Sequence, residues 1–355
     1  MSIRLVQIVP TLPPEIDGLG DYALNLARQL RRDWEIETHF IVGNPNWVGE
    51  GEIEGFSCHC VARRSPQGLL SQLPGDLPIF LHYSSYGYAK RGCPSWLVAG
   101  LERCEQPLIA MFHEVYTYDV GSPWTSSFWL SPWQKNLAKR LAHRSDRALT
   151  SKQSYAKLIQ DLSGHRHKTI PVYPVFSNIG EPSSLLPLEA RERHLILFGH
   201  RNTRSRVYQN YRPHLAQTCE GLDIERIYDI GVPTGLQLDS LNGTEILEMG
   251  VLPAEKISKL MSRAIAGFLC FPPPEYLAKS GIFAAYCAHG LIPILTTGSP
   301  VPIDGLETGK HYGLADDKME KLSLDVGRAI AKRARSWYQN HSLSVQANAI
   351  AEYLK

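Results

Sequence analysis

The sequence predicts an α/β protein of two Rossmann-like, doubly wound domains facing a deep cleft. Three observations carry that expectation. Short apolar runs alternate with helical patterns in both halves of the chain, as strands do when crossover helices join them into a parallel sheet. A proline-rich polar stretch over 171–193, with Pro171, Pro174, Pro182 and Pro187, separates the halves and reads as a linker. The 355 residues are long for one hydrophobic core and natural for two. The expected boundaries are 1–175 and 176–328, followed by a helical segment over 329–355 that packs back across the domain boundary. A ligand is expected in the cleft, where ligands of two-domain proteins usually sit.

The elements follow in order. Residues 3–9 read as an alternating or buried strand, and Tyr22 to Arg31 as an amphipathic helix. Glu37 to Val42, Ile79 to Tyr83 and Leu108 to Phe112 are strand-like, and Trp133 to Arg144 has helical spacing. The pattern restarts at His194 to Phe198, with Ile224 to Ile230 as the next strand and Glu255 to Arg263 as a helix. Ala266 to Phe271 is a strand ended by the prolines that follow, Ala284 to His289 a helix stopped by Gly290, and Leu291 to Leu295 a strand. Ala329 to Leu354 is helical, with a dip around Asn340 to Ser342.

Composition narrows the function. A formal net charge of +2 does not suggest a nucleic-acid binder. Seven cysteines without a Cys-x-x-Cys pair read as reduced cytosolic thiols. The chain opens directly on a strand and has no apolar run of membrane-spanning length, so a cytoplasmic location is expected. There is no Asp-x-Asp, His-Glu-x-x-His, Gly-x-Ser-x-Gly elbow or Walker loop, so no metal is expected.

Several segments carry candidate chemistry. Gly18-Leu-Gly20-Asp-Tyr-Ala23 fits a G-x-G-x-x-A dinucleotide fingerprint, but eight residues separate it from the strand ending at Val9, where a dinucleotide unit has its glycines at once. It reads alternatively as a helix-capping loop, or as a flexible loop whose amides approach an anionic or sugar ligand. The last is favoured. Arg201, Arg204 and Arg206 follow Phe198 at the carboxyl end of a strand, the ligand-binding edge of such sheets, and guanidinium groups pair bidentately with phosphate. A solvated basic loop is the plainer alternative. Lys279-Ser280-Gly281 opens a helix at the corresponding edge further along, which suits a phosphate. It is equally consistent with a well-capped helix beside an exposed lysine. His113-Glu114 ends a first-half strand, as His82-Tyr83 does with Tyr86 close behind. The histidine is either an acid, base or donor at the cleft or a buried, satisfied ring. Residues 124–147 combine Trp124, Phe128, Trp129 and Trp133 with Lys135, Lys139, Arg140, Arg144 and Arg147. They read as a solvated basic helix or as a peripheral membrane contact.

With both halves read, the chain resembles nucleotide-sugar glycosyltransferases of the GT-B architecture, close to the large retaining family 4. The resemblance spans nearly the whole chain. It rests on Gly18-x-Gly20 with Tyr22, His113-Glu114, Ser145-Asp146 through Ser151, Gly199 to Arg206, Gly250-Val-Leu252-Pro, and Lys279-Ser-Gly281 leading to Ala288-His-Gly290-Leu-Ile-Pro293. Members usually carry two glutamates eight residues apart; here those places hold Leu277 and Ala285, with Glu275 near the first. The Lys-Ser-Gly variant is similar to bacterial, especially cyanobacterial, exopolysaccharide transferases, which implies UDP-glucose as donor and a glycan or lipid-linked acceptor. The resemblance further implies retention without a metal or other cofactor. Arg201, Arg206 or Arg204, Lys279 and the amides of Ser280 and Gly281 would meet the diphosphate, with Glu275 on the donor side. Val251 and Leu252 would hold the base through their backbone, His113 would bind the sugar, and Gly18 and Gly20 would close over it. Tyr22, His82, Tyr83, Tyr86 and Glu114 would line the acceptor side. A nucleotide-sugar epimerase of the same architecture and a non-catalytic glycan-binding protein are the alternatives.

Overall fold

The computed structural model describes residues 3–117, 124, 126–271, 274–315 and 322–355. The chain divides into two compact units, Met1–Pro174 with Leu343–Lys355, and Val175–Ser342.

In the first unit, β1 (Arg4–Val9), α1 (Gly18–Trp34), β2 (Glu37–Val42), β3 (Glu52–Ile53), β4 (Phe56–Cys60), α2 (Pro66–Leu70), β5 (Ile79–Tyr83), α3 (Ser85–Tyr88), α4 (Ser95–Leu101), β6 (Leu108–Phe112), α5 (Ser126–Arg144), β7 (Arg147–Thr150) and α6 (Gln153–Leu162) follow in order. The sheet runs β3-β4-β2-β1-β5-β6-β7, parallel except for the short β3–β4 hairpin. Its central strands are apolar on both faces, as a sheet covered by helices requires. Ser145-Asp146 serves the sheet itself. The Asp146 carboxylate accepts the Leu108 amide at 2.8 Å, tying the start of β7 to β6.

The second unit repeats the plan: β8 (His194–Phe198), α7 (Arg201–Asn210), α8 (Arg212–Gly221), β9 (Arg226–Ile230), β10 (Ser240–Leu241), β11 (Thr244–Gly250), α9 (Ala254–Arg263), β12 (Ala266–Leu269), a 3-10 turn over Pro274–Lys279, α10 (Gly281–Ala288), β13 (Ile292–Leu295), β14 (Gly313–Leu314) and α11 (Leu324–Gln339). Its sheet order, β10-β11-β9-β8-β12-β13-β14, is the first unit's order strand for strand, again with one antiparallel pair. In each sheet the direction of winding reverses beside the first strand, at β1/β5 and at β8/β12. Such a switch point opens a crevice outside the carboxyl ends of the strands.

A buried tyrosine bolts each switch point. The Tyr88 hydroxyl lies 3.0 Å from the carbonyls of Ile8 on β1 and His82 on β5. The Tyr286 hydroxyl lies 3.1 Å from the Ile196 carbonyl on β8 and 3.2 Å from that of Phe268 on β12, and it accepts the Phe198 amide at 3.3 Å. A side chain at Gly267 would meet the Tyr286 ring at 2.6 Å, so glycine is required there.

The sequence expectation of one C-terminal segment over 329–355 becomes two helices. α11 packs on α10 and β13 of the second unit, while Leu343–Tyr353 packs on α1 of the first. The Asn340–Ser342 dip in the pattern is the break between them.

Tyr286→Phe removes the hydroxyl that the part-buried Phe198 amide donates to and that bridges β8 and β12. The expected cost is about 1–3 kcal/mol of unfolding free energy, read from urea denaturation; an unchanged midpoint would contradict the bolt.

Candidate functional site

The carboxyl ends of β8, β9, β11 and β12 share one edge of the second sheet, because these strands are parallel neighbours. After β8 the chain turns at Gly199, whose φ of +129° favours glycine. A Cβ there would meet Cδ1 of Ile282 at 2.4 Å. The turn after β8 and the start of α10 are therefore in direct contact, and the two motifs expected to hold phosphate meet.

The segment read as a basic loop is the first turn of α7. His200 caps it, its Nδ1 accepting the Asn202 amide at 3.3 Å, and Arg201 is the first helical residue. Arg201 is exposed and leans on the Thr234 carbonyl (Nη2 3.1 Å, Nε 3.4 Å). Thr234 is held in turn by Glu248, which accepts its amide at 2.7 Å and its hydroxyl at 3.2 Å. Arg206 is also exposed.

Arg204 is a correction to the sequence reading. It is fully buried, donating to the Gly199 carbonyl at 3.0 Å, to the Val232 carbonyl and to the Asp229 carboxylate. Burial pushes the Asp229 carboxyl upward against the pull of that guanidinium. Nε, Nη1 and Nη2 of Arg204 are all committed to the protein, so it braces the corner, while Arg201 and Arg206 remain exposed.

At the other side of the corner Ser280 caps α10, its hydroxyl accepting the Phe283 amide at 3.2 Å. The amides of Gly281 and Ile282, ahead of the first helical bond, have no acceptor among the described residues. A Cβ at Gly281 would meet nothing within 4 Å, so this glycine leaves open space that no packing demands. Lys279 is half-buried beside the Tyr276 ring, with Nζ 5.5 Å from its centre. Glu275 is exposed on the same 3-10 turn. Leu277 and Ala285 are buried apolar residues of the core. Val251 and Leu252 follow β11 on the shared edge, Val251 58% exposed and Leu252 half-buried. At the far end of α10, His289 is fully buried, its ring between the Ala285 carbonyl and the Ser258 hydroxyl, both at 2.8 Å. Burial lowers its pKa to about 4.

The first unit presents a different corner. His113 follows β6, its amide bonded to the Tyr83 carbonyl at 2.9 Å, and its ring is 8% exposed. Glu114 accepts the Ser84 hydroxyl at 2.9 Å. His82 is wholly buried, stacked on His113 with ring centres 5.5 Å apart. Burial and the neighbouring ring hold its pKa well below the ordinary histidine value. Tyr86 is partly exposed, but its hydroxyl receives the Thr117 hydroxyl and the Gln134 amide, both at 3.2 Å.

Several residues placed on the acceptor side are interior. Tyr83 is completely buried and packs edge-on to Phe112. Tyr22 is buried with its hydroxyl 2.5 Å from Oε1 of Gln346, so it fastens the Leu343–Tyr353 helix to α1. The Gly18–Gly20 loop is likewise corrected. α1 begins at Gly18, and Asp17 accepts the amides of Leu19 and Gly20 at 3.1 and 2.8 Å. Those amides are spent on the cap, and Gly20 is needed because a Cβ would meet the Thr11 carbonyl at 2.6 Å. Sequence reasoning passed over Asp17, Gln7, Thr234, Glu248 and Tyr286. Gln7 alone had a visible signal, a polar residue inside an apolar strand.

Among the described residues, no group of three His, Cys, Asp or Glu side chains could hold a metal ion, and no helix is long and apolar enough to cross a membrane.

Two doubly wound α/β units, each with a seven-stranded sheet of the same order, define the GT-B fold, and solved structures of that fold match the chain over its length. One is an α-glucosyltransferase in complex with UDP and a 13-mer DNA containing a HMU base, with a TM-score of 0.61 at 9% identity, covering 100% of this chain and 99% of that one. A second is WaaG, a glycosyltransferase involved in lipopolysaccharide biosynthesis, with a TM-score of 0.59 at 10% identity, covering 99% of each chain. A third is a putative UDP-N-acetylglucosamine 2-epimerase from Listeria monocytogenes, with a TM-score of 0.59 at 13% identity, covering 99% of this chain and 95% of that one. No family model matches the chain, and no curated protein matches it in sequence.

The neutral buried histidines set an acid limit. His82 and His289 stay uncharged in the folded chain, whereas the unfolded chain takes up their protons near pH 6.5. Stability is therefore full above about pH 6.5 and falls as pH drops below it, by up to about 1.4 kcal/mol per pH unit for each ring, down to about pH 4 in the case of His289. Urea midpoints between pH 7.5 and 5 should decline; a flat profile would contradict two neutral rings.

Proposed function

We propose that the chain transfers a hexose, glucose from UDP-glucose, to a glycan or lipid-linked acceptor in exopolysaccharide synthesis, with retention at the anomeric carbon. The observation that carries this reading is the contact of Gly199 with Ile282, which brings the turn leading into α7 against the open amide end of α10. The fold and the UDP in its solved relatives support a nucleotide sugar as the ligand. The choice of glucose rests on the narrower likeness to the cyanobacterial transferase of the heterocyst envelope polysaccharide.

The chemistry asked of the corner is specific. As the sugar–phosphate bond breaks, negative charge grows on the β-phosphate. Arg201, Arg206, Lys279 and the amides of Gly281 and Ile282 would meet it as fixed positive groups, so the reading calls on no metal. Preorganised donors of this kind contribute about 3–4 kcal/mol each to the transition state. Ser280 contributes by capping α10, and His113 would bind the sugar. Val251 and Leu252 would take the base. With the usual ribose carboxylate replaced by Ala285, the diphosphate carries more of the donor's grip.

A second reading, nucleotide-sugar epimerisation, is favoured by the epimerase among the structural relatives. It would convert the donor with no acceptor present, which product analysis separates. Lys279→Ala should lower transfer by about 10²–10³-fold with the fold intact, measured as UDP release with and without acceptor. An unchanged rate would overturn the role of Lys279. Thermal shifts with UDP-sugars, GDP-sugars, ADP-glucose and NAD(P) identify the donor, since a ligand of the folded state raises the melting temperature. A panel with no shift from any nucleotide sugar would favour a non-catalytic glycan-binding protein.

The acceptor side has its own support in α5. Trp129 and Trp133 lie one turn apart and are 72% and 61% exposed, Trp124 is 95% exposed, and Phe128 is partly so. Lys135 and Lys139 continue the exposed side, while Gln134, Leu137, Ala138 and Leu141 face the core. Exposed tryptophans beside cations suit the interface of an anionic bilayer on its cytoplasmic side, where a lipid-linked acceptor would be found. The small net charge disfavours nucleic acid as the acceptor. The protein should therefore sediment with phosphatidylglycerol vesicles but not with phosphatidylcholine vesicles, and Trp129→Ala with Trp133→Ala should release it. Vesicle binding indifferent to both substitutions would refute the contact.

A further inference from the structure

One peptide group carries the chain from the first unit into the second, and both of its polar atoms are bonded. We infer that Gln346 is a positioning residue for Lys279, acting through the Pro174–Val175 peptide. The functional side of this inference rests on the phosphate role proposed for Lys279; the clamp on the peptide does not.

The first unit's main segment ends at Pro174 and the second unit begins at Val175. The carbonyl of Pro174 accepts Nε2 of Gln346 at 2.8 Å, a buried bond inside the first unit. The Val175 amide, on the same peptide plane, donates to the Ala278 carbonyl at 2.8 Å inside the second unit. A carbonyl only accepts, so the nitrogen of Gln346 must face Pro174. Its oxygen then faces Tyr22, whose hydroxyl donates at 2.5 Å.

The backbone on either side is anchored as well. The Tyr173 amide donates to the Thr150 carbonyl at the end of β7 at 2.8 Å, and the ring of Pro174 fixes its own φ. Further on, the Ser177 amide donates to the Tyr338 hydroxyl on α11 at 2.9 Å. The start of the stretch read from sequence as a linker is therefore held on both sides of the crossing. A peptide group is planar, so a pull on its oxygen tilts its N–H. The Ala278 carbonyl belongs in turn to the plane that leads into Lys279. The Ser280 amide closes the same turn on the Leu277 carbonyl at 3.0 Å. Tilting one plane tilts the next, and Lys279 moves with it. Gln346, in the first unit, thus sets the aim of a cation in the second.

A glutamine that merely satisfied a buried carbonyl would affect stability and leave ligand binding alone. Gln346→Glu, measured at about pH 8, keeps an oxygen for Tyr22 and loses the donor to Pro174. Gln346→Met has no donor at any pH, so either variant alone decides the matter. Asn348→Ala is the control: it removes the acceptor of the Trp34 indole N–H, at 2.9 Å, on the same helix and leaves Pro174 untouched. In ¹H–¹⁵N NMR of the full chain, the Val175 and Lys279 amide signals should move in the Gln346 variants and stay in place in Asn348→Ala. Unmoved signals in the Gln346 variants, or a Val175 amide that exchanges rapidly in the unaltered chain, would overturn the clamp. With UDP as the probe, Kd should rise about three- to tenfold in the Gln346 variants. That rise should vanish when Lys279→Ala is already present, since a positioning residue has no effect without the residue it positions. An equal rise in both backgrounds, or none in either, would sink the positioning role. Failure of UDP to bind the unaltered chain would instead remove the nucleotide-sugar reading, and the amide signals would still decide the clamp.

Discussion

The hydroxyl of Tyr286 is the constraint on which the second unit's corner depends. It sits between two parallel strands at the point where the winding of the sheet reverses, within reach of both backbones. The ring fits because Gly267 on β12 has no side chain, and Gly199 in turn admits Ile282 from the first turn of α10. The start of α10 thus has its height and direction set relative to the end of β8. The turn leading into α7 and the open amides of α10 come together because strand, turn and helix are pinned by these contacts. Arg204 completes the bracing by filling the space between Gly199, Asp229 and Val232.

The first unit uses the same device and puts different chemistry on it. Tyr88 joins β1 to β5 as Tyr286 joins β8 to β12, and Gly43 is its matching glycine, since a Cβ there would meet the Tyr88 ring at 2.7 Å. The second unit sends cations and amides to its edge. The first sends His113, stacked on the buried His82. One strand order supports both because the sheet supplies only position.

Much of the fold is legible in the sequence for a physical reason. Central strands covered on both faces must be nearly all apolar, so Glu37–Val42, Ile79–Tyr83, Leu108–Phe112 and His194–Phe198 stand out with their bounds correct. The short edge strands β3, β10 and β14 bury little and leave no such pattern. The basic stretch after Phe198 reads as a loop because its charges obscure the inward positions Arg204, Val207 and Tyr208, and a buried arginine looks like any other in sequence. Tyr22, His82 and Tyr83 read as ligand neighbours because polar aromatics at strand and helix ends often line sites. What makes them interior is their partners, Gln346, Gln7 and Phe112, which lie far away in sequence. Lys279, Ser280 and Gly281 are legible because helix caps are local.

α10 is only eight residues long, yet from Phe283 to Ala288 every residue is 4% exposed or less. A helix so enclosed has no separate opening reaction of its own. Its amides should exchange with solvent only when the whole second unit unfolds, unlike those of surface helices, which fray locally. The open amide end of α10 is therefore as permanent as the unit's core.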